Sequence, residues 1–198
     1  SLKNLKKSVY GLSEINKKNL SKAKIIACPG CYPTSILLPL FPLIKKNLID
    51  FKNIIIDSKS GFSGAGRGVH KKFKNKNLYG STSAYGIATH RHNAEIQQEL
   101  SYIKKNIEFT FTPHILPMFR GILSTIYLNY KSKANLNKIY NELRRFYMNH
   151  RFIKILKNKA LSTNDVINTN NCQISVCKSK DKKKLIILSS IDNLIKGG

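Results

Sequence analysis

Between residues 23 and 46 the apolar pattern of the chain changes its period once, and a cysteine stands at the change. Residues 23–27 (Ala-Lys-Ile-Ile-Ala) read as a short buried strand, Pro29-Gly30 as a tight turn, and residues 34–46 as an apolar, mostly helical segment. That unit commits this part of the chain to mixed α and β structure and puts Cys31 at a helix N-terminus. Unpaired N–H groups and the positive end of the helix dipole favour thiolate over thiol there, and the same groups can stabilise an oxyanion. Pro39 and Pro42 interrupt the helix. An interior proline costs about 3 kcal/mol, so a kink or an early stop is predicted.

The rest of the chain continues in kind. A strand is predicted at 53–58, then a Gly-rich loop, a helix over 93–104 and a strand over 108–112. Residues 121–130 are rich in β-branched and aromatic side chains, 135–149 form an amphipathic helix, and 172–178 with 184–191 form a hairpin around Ser-Lys-Asp-Lys at 179–182. No tandem repeat and no linker divides residues 29–192. The 198 residues are enough for one α+β domain plus remnants.

Cys28 and Cys31 make a C-x-x-C pair, which leaves a redox dithiol or half of a zinc site open, with Cys172 and Cys177 as the other half. The second pair is spaced C-x4-C inside an alternating strand pattern, which fits neither well, and a purely structural Cys31 also stays open. A net charge of +25 would suit a nucleic-acid-binding module. Only six of the 35 basic residues are arginine, however, and the lysines are spread along every exposed segment without a recognition motif, so no specific nucleic-acid partner is expected. The longest apolar run, 36–44, is far short of the ~20 residues of a membrane span. Four cysteines without framework spacing fit a reducing, cytoplasmic location.

Six separated segments carry more. They are Tyr10-Gly11-Leu12-Ser13-Glu14; Cys28-Pro29-Gly30-Cys31-Tyr32-Pro33-Thr34; residues 60–67 (Ser-Gly-Phe-Ser-Gly-Ala-Gly-Arg); 89–96 (Thr-His-Arg-His-Asn-Ala-Glu-Ile); 111–122 (Phe-Thr-Pro-His-Ile-Leu-Pro-Met-Phe-Arg-Gly-Ile); and 192–197 (Asp-Asn-Leu-Ile-Lys-Gly). In order and spacing they resemble the N-acetyl-gamma-glutamyl-phosphate reductases. The resemblance implies NADPH-dependent reduction of an acyl phosphate to a semialdehyde through a cysteine thioester, in arginine biosynthesis, with no metal. It implies an α+β, glyceraldehyde-3-phosphate-dehydrogenase-like C-terminal catalytic domain with a mixed, largely antiparallel sheet. It also implies a homo-oligomer, dimer or tetramer, acting on a small-molecule substrate.

Cys31 is then the nucleophile, and collapse of the thiohemiacetal needs proton transfer. In an extended chain His90 and His92 would share one side; His90 is expected to be catalytic, with His92 in support and a helix-capping role as the alternative. Arg120 and Arg67, with Ser60, are expected to bind the substrate anion. Gly61, Ser63 and Gly64 would offer backbone N–H groups to phosphate or to the nicotinamide ribose, and Asn193 resembles the family's holder of the nicotinamide carboxamide. His114 reads as structural. The family begins with a dinucleotide-binding domain, whereas this chain contains no strand, Gly-x-Gly-x-x-Gly, helix unit, and residues 69–77 lack the apolar periodicity to make residues 63–68 one. A fragment is therefore expected, inactive alone: 1–28 a remnant of the cofactor domain, 29–192 catalytic and dimerisation domain, 193–198 the start of the return segment. Cys28 departs from the family pattern, and a Cys28–Cys31 disulfide would silence the nucleophile. The alternative within enzymes is an aspartate-semialdehyde dehydrogenase of the same build.

Overall fold

The computed structural model of the chain describes residues 4, 7–65 and 80–198. Arg67 and the run 69–77 lie outside the described residues. The elements are β1 (Ser8–Tyr10), α1 (Ser13–Leu20), β2 (Ile25–Ala27), α2 (Cys31–Lys45), β3 (Ile54–Gly61) and a 3-10 turn (Phe62–Ala65). Then come β4 (Ser83–Ala84), α3 (His92–Ile103), β5 (Phe109–Leu116), β6 (Ile122–Asn129), α4 (Leu136–Tyr147) and β7 (Ile153–Lys157). A second 3-10 turn (Thr163–Asp165), β8 (Cys172–Lys178) and β9 (Lys184–Ile191) complete the chain.

Seven strands form one mixed sheet in the order β4-β5-β3-β6-β9-β8-β7. Only β3/β5 and β7/β8 are parallel; the other neighbours are antiparallel. The α+β, largely antiparallel expectation is thus met. Period-2 alternation makes one face: Ile56, Ser58 and Ser60 of β3 align with Ile126, Ser124 and Ile122 of β6, all buried, and β9 adds Leu185, Ile187 and Ile191. α2, α3 and α4 join these strands in the apolar core. β5 extends past its predicted end at 112 because Pro113 is accommodated within the strand, its carbonyl accepting from the Tyr85 N–H.

α2 is apolar all round, and twelve of its fifteen residues are buried, so it is the central helix of the core. The early stop predicted as one outcome at Pro39 and Pro42 does not occur, since α2 runs on to Lys45. Pro42 has no N–H to give to Leu38, and that orphaned carbonyl instead accepts the Tyr147 hydroxyl of α4 at 2.6 Å. A chain of buried hydroxyls fixes the helix to the sheet: Ser35 Oγ and Ser58 Oγ each lie 2.7 Å from Ser124 Oγ, and Ser35 donates to the Tyr32 carbonyl. The register of α2, and with it the place of Cys31, is set by these bonds.

The N-terminal part corrects a further expectation. β2 was expected to be a buried strand, but Ile25, Ile26 and Ala27 are all exposed. Its partner is β1 alone, in a two-stranded parallel sheet, and nothing among the described residues covers its outer face.

Candidate active site

Cys31 is the first residue of α2, as its sequence context predicts, but the approach to it is not a turn. Residues 28–30 carry no hydrogen-bonded turn, and Gly30 is extended at φ −72° and ψ 160°. The Gly30 N–H donates to Glu95 Oε1 at 2.8 Å, and the same oxygen accepts the Tyr10 hydroxyl at 2.7 Å. Glu95 therefore ties the nucleophile's approach to α3 and to β1. All four cysteines are free thiols.

The thiol itself overturns the expectation of a preformed thiolate. Burial dominates and pushes Cys31 above the usual cysteine range; the backbone N–H groups of Tyr32 and Cys31 and the charge of Arg91 act downward, and Glu95 acts upward. The helix N-terminus contributes the expected effect but is outweighed. Part of this cover is the chain's end: a Cβ on Gly197 would stand 2.7 Å from Cys31 Cβ, so that residue's backbone lies directly on the nucleophile.

Both histidines of the 89–96 segment converge here. The segment is a tight turn entering α3, with the His90 N–H bonded to the Gly86 carbonyl, and not the extended chain that was expected. The rings nevertheless meet, centroids 4.7 Å apart, and both stand edge-on to Tyr32 at 5.5 and 5.9 Å. Tyr32 is fixed in turn, its hydroxyl accepting from Tyr85 and donating to the His114 carbonyl. The two histidines differ in what they can do. His90 Nδ1 accepts the His92 backbone N–H at 3.1 Å, so its neutral ring carries the proton on Nε2 and has no free lone pair. His92 is 6% exposed, its Nδ1 has no hydrogen-bond partner among the described residues, and its Nε2 edge is pressed against Gly30, beside Cys31. Burial, then His90 and Arg91, hold His92 down at about 4, and burial and Arg91 lower His90. Both rings are neutral at pH 7.

The other expected residues lie around residues 192–197. Arg120 is a quarter exposed; it pairs with Asn168 Oδ1 and lies 3.5 Å from Asp192 Oδ2, at a cleft of about 650 Å³ with Phe119, Thr163 and Ile167. Asn193 Oδ1 accepts the Gly121 N–H at 2.6 Å while its Nδ2 donates to Ser63 Oγ at 3.0 Å. Gly121 has φ +105°, which glycine permits. The Gly-rich loop does not offer its first N–H groups to a ligand: those of Gly61, Phe62 and Ser63 bond the carbonyls of Gly121, Met118 and Phe119. Ser60 is 2% exposed and donates to the Gly61 carbonyl, which corrects its placement as a substrate contact. His114 lies in β5 on the helix-free face, 3.1 Å from Asp57. Cys172 is fully buried on β8 and its thiol is pushed up to about 12. Among the described residues no group of three or more His, Cys, Asp or Glu side chains could hold a metal. No helix there is long and apolar enough to cross a membrane.

Residues 31–193 match the family described as semialdehyde dehydrogenase, dimerisation domain. The chain belongs to that family. Among its relatives, the N-acetyl-gamma-glutamyl-phosphate reductase of Desulforamulus reducens is 44% identical over 195 residues, 98% of this chain and 56% of the relative. That of Prochlorococcus marinus is 47% identical over 97% of this chain and 56% of its own length. A probable N-acetyl-gamma-glutamyl-phosphate reductase of Arabidopsis thaliana, described as chloroplastic, is 44% identical over 97% of this chain and 48% of its length. The chain thus spans about half the length of the relatives it matches. Its fold is similar to that of aspartate semialdehyde dehydrogenase from Francisella tularensis, TM-score 0.73 at 14% identity, covering 98% of this chain and 68% of that one. The Vibrio cholerae aspartate semialdehyde dehydrogenase II gives 0.72 at 13%, over 97% and 65%.

The site is therefore built by residues that the motifs contain but whose roles they do not announce. Glu95, Tyr10, Tyr32 and Gly197 all touch the nucleophile's surroundings. Glu95 stands one helical turn after His92, the spacing that would have linked it to that ring's face.

Proposed function

We propose that this chain is the catalytic part of an NADPH-dependent N-acetyl-gamma-glutamyl-phosphate reductase, forming N-acetyl-glutamate 5-semialdehyde and phosphate in arginine biosynthesis. The observation that carries the reading is the convergence of Cys31, at the start of a buried helix, with neutral His92 on the residue before it. The relatives' names supply the substrate. β1, α1 and β2 are in this reading the remnant of the cofactor domain, 29–192 the catalytic and dimerisation domain, and 193–198 the start of the return segment.

Cys31 Sγ attacks the γ-carbonyl of the acyl phosphate. The thiol is protonated at rest, so its proton passes to His92 Nε2 as the carbon–sulfur bond forms and phosphate leaves. The N–H groups at the start of α2 face the developing oxyanion. When bound, NADPH supplies the hydride that reduces the acyl carbon. The resulting thiohemiacetal collapses, the carbon–sulfur bond breaks, and His92 returns the proton to Cys31. His92 is favoured over His90 for this step because His90 has no free lone pair in its neutral form. Arg120 remains the anion partner at its cleft, with Arg67 a second candidate outside the described residues. For the nicotinamide end the chain offers Ser63, exposed Gly64 and the remaining amide hydrogen of Asn193; what it offers fits one end of a dinucleotide only.

The dimerisation-domain description supports self-association, and a dimer or tetramer is the corresponding proposal, read by sedimentation equilibrium. A reducing, cytoplasmic setting suits four free thiols. The deciding experiment assays the full-length protein with NADPH and either N-acetyl-gamma-glutamyl phosphate or aspartyl phosphate. Turnover of the acetylated substrate, lost in Cys31→Ser, is expected. Turnover of aspartyl phosphate alone would reassign the chain to the aspartate-semialdehyde dehydrogenases.

A further inference from the structure

Apart from Asn193, offered above to the nicotinamide, two motifs at opposite ends of the chain are not used by the reaction: Tyr10-Gly11-Leu12-Ser13-Glu14 and residues 192–197. The structure joins them. Lys196 and Glu14 form an ion pair whose side chains are 6% and 7% exposed, with Ser13 also donating to Glu14. The next residue, Gly197, packs its backbone on Cys31, and a Cβ there would lie 2.7 Å from Cys31 Cβ and 2.9 Å from its Cα. The turn is held from inside by Asp192, which is fully buried. Its Oδ1 accepts the N–H groups of Leu194 and Ile195 at 2.7 and 3.0 Å, its Oδ2 accepts that of Asn168 at 2.7 Å, and its carbonyl accepts that of Gly197 at 3.0 Å. Asn193 bolts the turn to Gly121 and Ser63.

We infer that residues 192–197 are a clamp over Cys31, locked by the buried Glu14–Lys196 pair, which makes Glu14 and Lys196 positioning residues for the nucleophile. The inference rests on Cys31 being the nucleophile, but its own readout does not require turnover. A buried pair is a costly way to gain stability, since desolvating both charges cancels most of their attraction; it does fix a geometry that no apolar contact would specify. Here the geometry fixed is that of the Gly197 backbone against the thiol. Burial acts upward on the carboxyl of Glu14, but the hydrogen bond and charge of Lys196 outweigh it and hold that carboxyl below its usual range, so Glu14 is ionised at neutral pH. The groups that act on the Cys31 thiol are its burial, to which the clamp contributes, the N–H groups of α2, Arg91 just before α3, and Glu95 of α3.

The clamp makes two observables move in opposite directions. Opening it uncovers Cys31, which relieves the burial that raises its pKa, while loosening the alignment that turnover needs. In the full-length protein, Lys196→Met and Glu14→Gln are expected to accelerate alkylation of Cys31 by iodoacetamide at pH 7.5 about tenfold, the effect of one pKa unit on the thiolate fraction. The kcat should fall about tenfold to a hundredfold with KM little changed, as for a misplaced reacting group. The charge exchange Glu14→Lys with Lys196→Glu should restore most of both. Gly197→Ala, which leaves the ion pair intact and pushes the turn off Cys31, should reproduce the faster labelling, and it decides the matter if the charge variants fail to fold. Folded single variants or Gly197→Ala with wild-type labelling rates would overturn the clamp, as would slowed labelling. Loss of turnover in Cys31→Ser is a separate test, whose failure would sink the proposed reaction and leave the labelling result standing.

Discussion

Gly30→Ala tests where His92 sits. Gly30 has φ −72° and ψ 160°, a conformation that alanine adopts freely, so the substitution carries no backbone penalty. Its whole cost is steric. The added Cβ would lie 2.7 Å from His92 Cε1 and 2.9 Å from Cδ2, and closer still to Nε2. Ordinary carbon contacts are about 3.5–4.0 Å, so the ring must retreat by roughly 1 Å. His92 is buried and packs against the rings of Tyr32 and His90, which leaves it little room to move. Overpacking of this kind costs about 1–3 kcal/mol. The assay is a double-mutant cycle on urea unfolding: Gly30→Ala, His92→Ala and the pair. The expected coupling is nearly the whole cost of Gly30→Ala, because the added methyl then occupies the space the ring vacates. The same variant should lose turnover while Cys31 remains alkylatable. A Gly30→Ala protein as unstable in the His92→Ala background as in the wild type would refute the placement of His92 on Gly30, and with it the choice of His92 for proton transfer.

Tyr147→Phe leaves the Leu38 carbonyl beneath Pro42 buried and unpaired, so a loss of about 1–3 kcal/mol is expected, read as a lower thermal midpoint with the fold retained. No loss would mean that the proline-interrupted helix does not depend on α4. His92 is held down at about 4 against an ordinary value of 6.5, so the unfolded chain binds more protons between these values. Its contribution to stability is full above pH 6.5 and is lost as pH falls toward 4; in His92→Gln the slope of stability against pH in that window should flatten.

The hairpin of β8 and β9 was legible to the residue, because alternation and a polar turn leave it one register. Helices α2, α3 and α4 were legible to within a few residues, for the same reason at a different period, whereas the short polar α1 was not. What failed has physical causes. Pro39 and Pro42 announce an early stop that burial of α2 and the distant Tyr147 hydroxyl overrule, and no local pattern shows a partner 109 residues away. β7 hides because Lys154 and Lys157 dilute a five-residue run, and β4 is two residues long. Within the site, Cys31, His90 and His92 were visible as motif residues. The bond that separates the roles of the two histidines, from the His92 N–H to His90 Nδ1, arises from a turn where an extended chain was expected. The Gly-rich loop failed in the same way, its N–H groups consumed by the 118–121 backbone that folds against it.

The two opposite pKa shifts in the pocket have one origin. Burial disfavours whichever form of a group is charged, so it raises the Cys31 thiol and lowers the His92 imidazolium together. A preformed thiolate–imidazolium pair is therefore disfavoured at rest, and the site holds a neutral thiol beside a neutral base. Arg91 breaks the symmetry. Its charge pulls Cys31 toward thiolate while pushing both histidines further from imidazolium, so the field favours losing the proton over sharing it within the pair. On this argument a protonated His92 is a strong donor, and in the proposed reaction it returns its proton to Cys31 as the carbon–sulfur bond breaks.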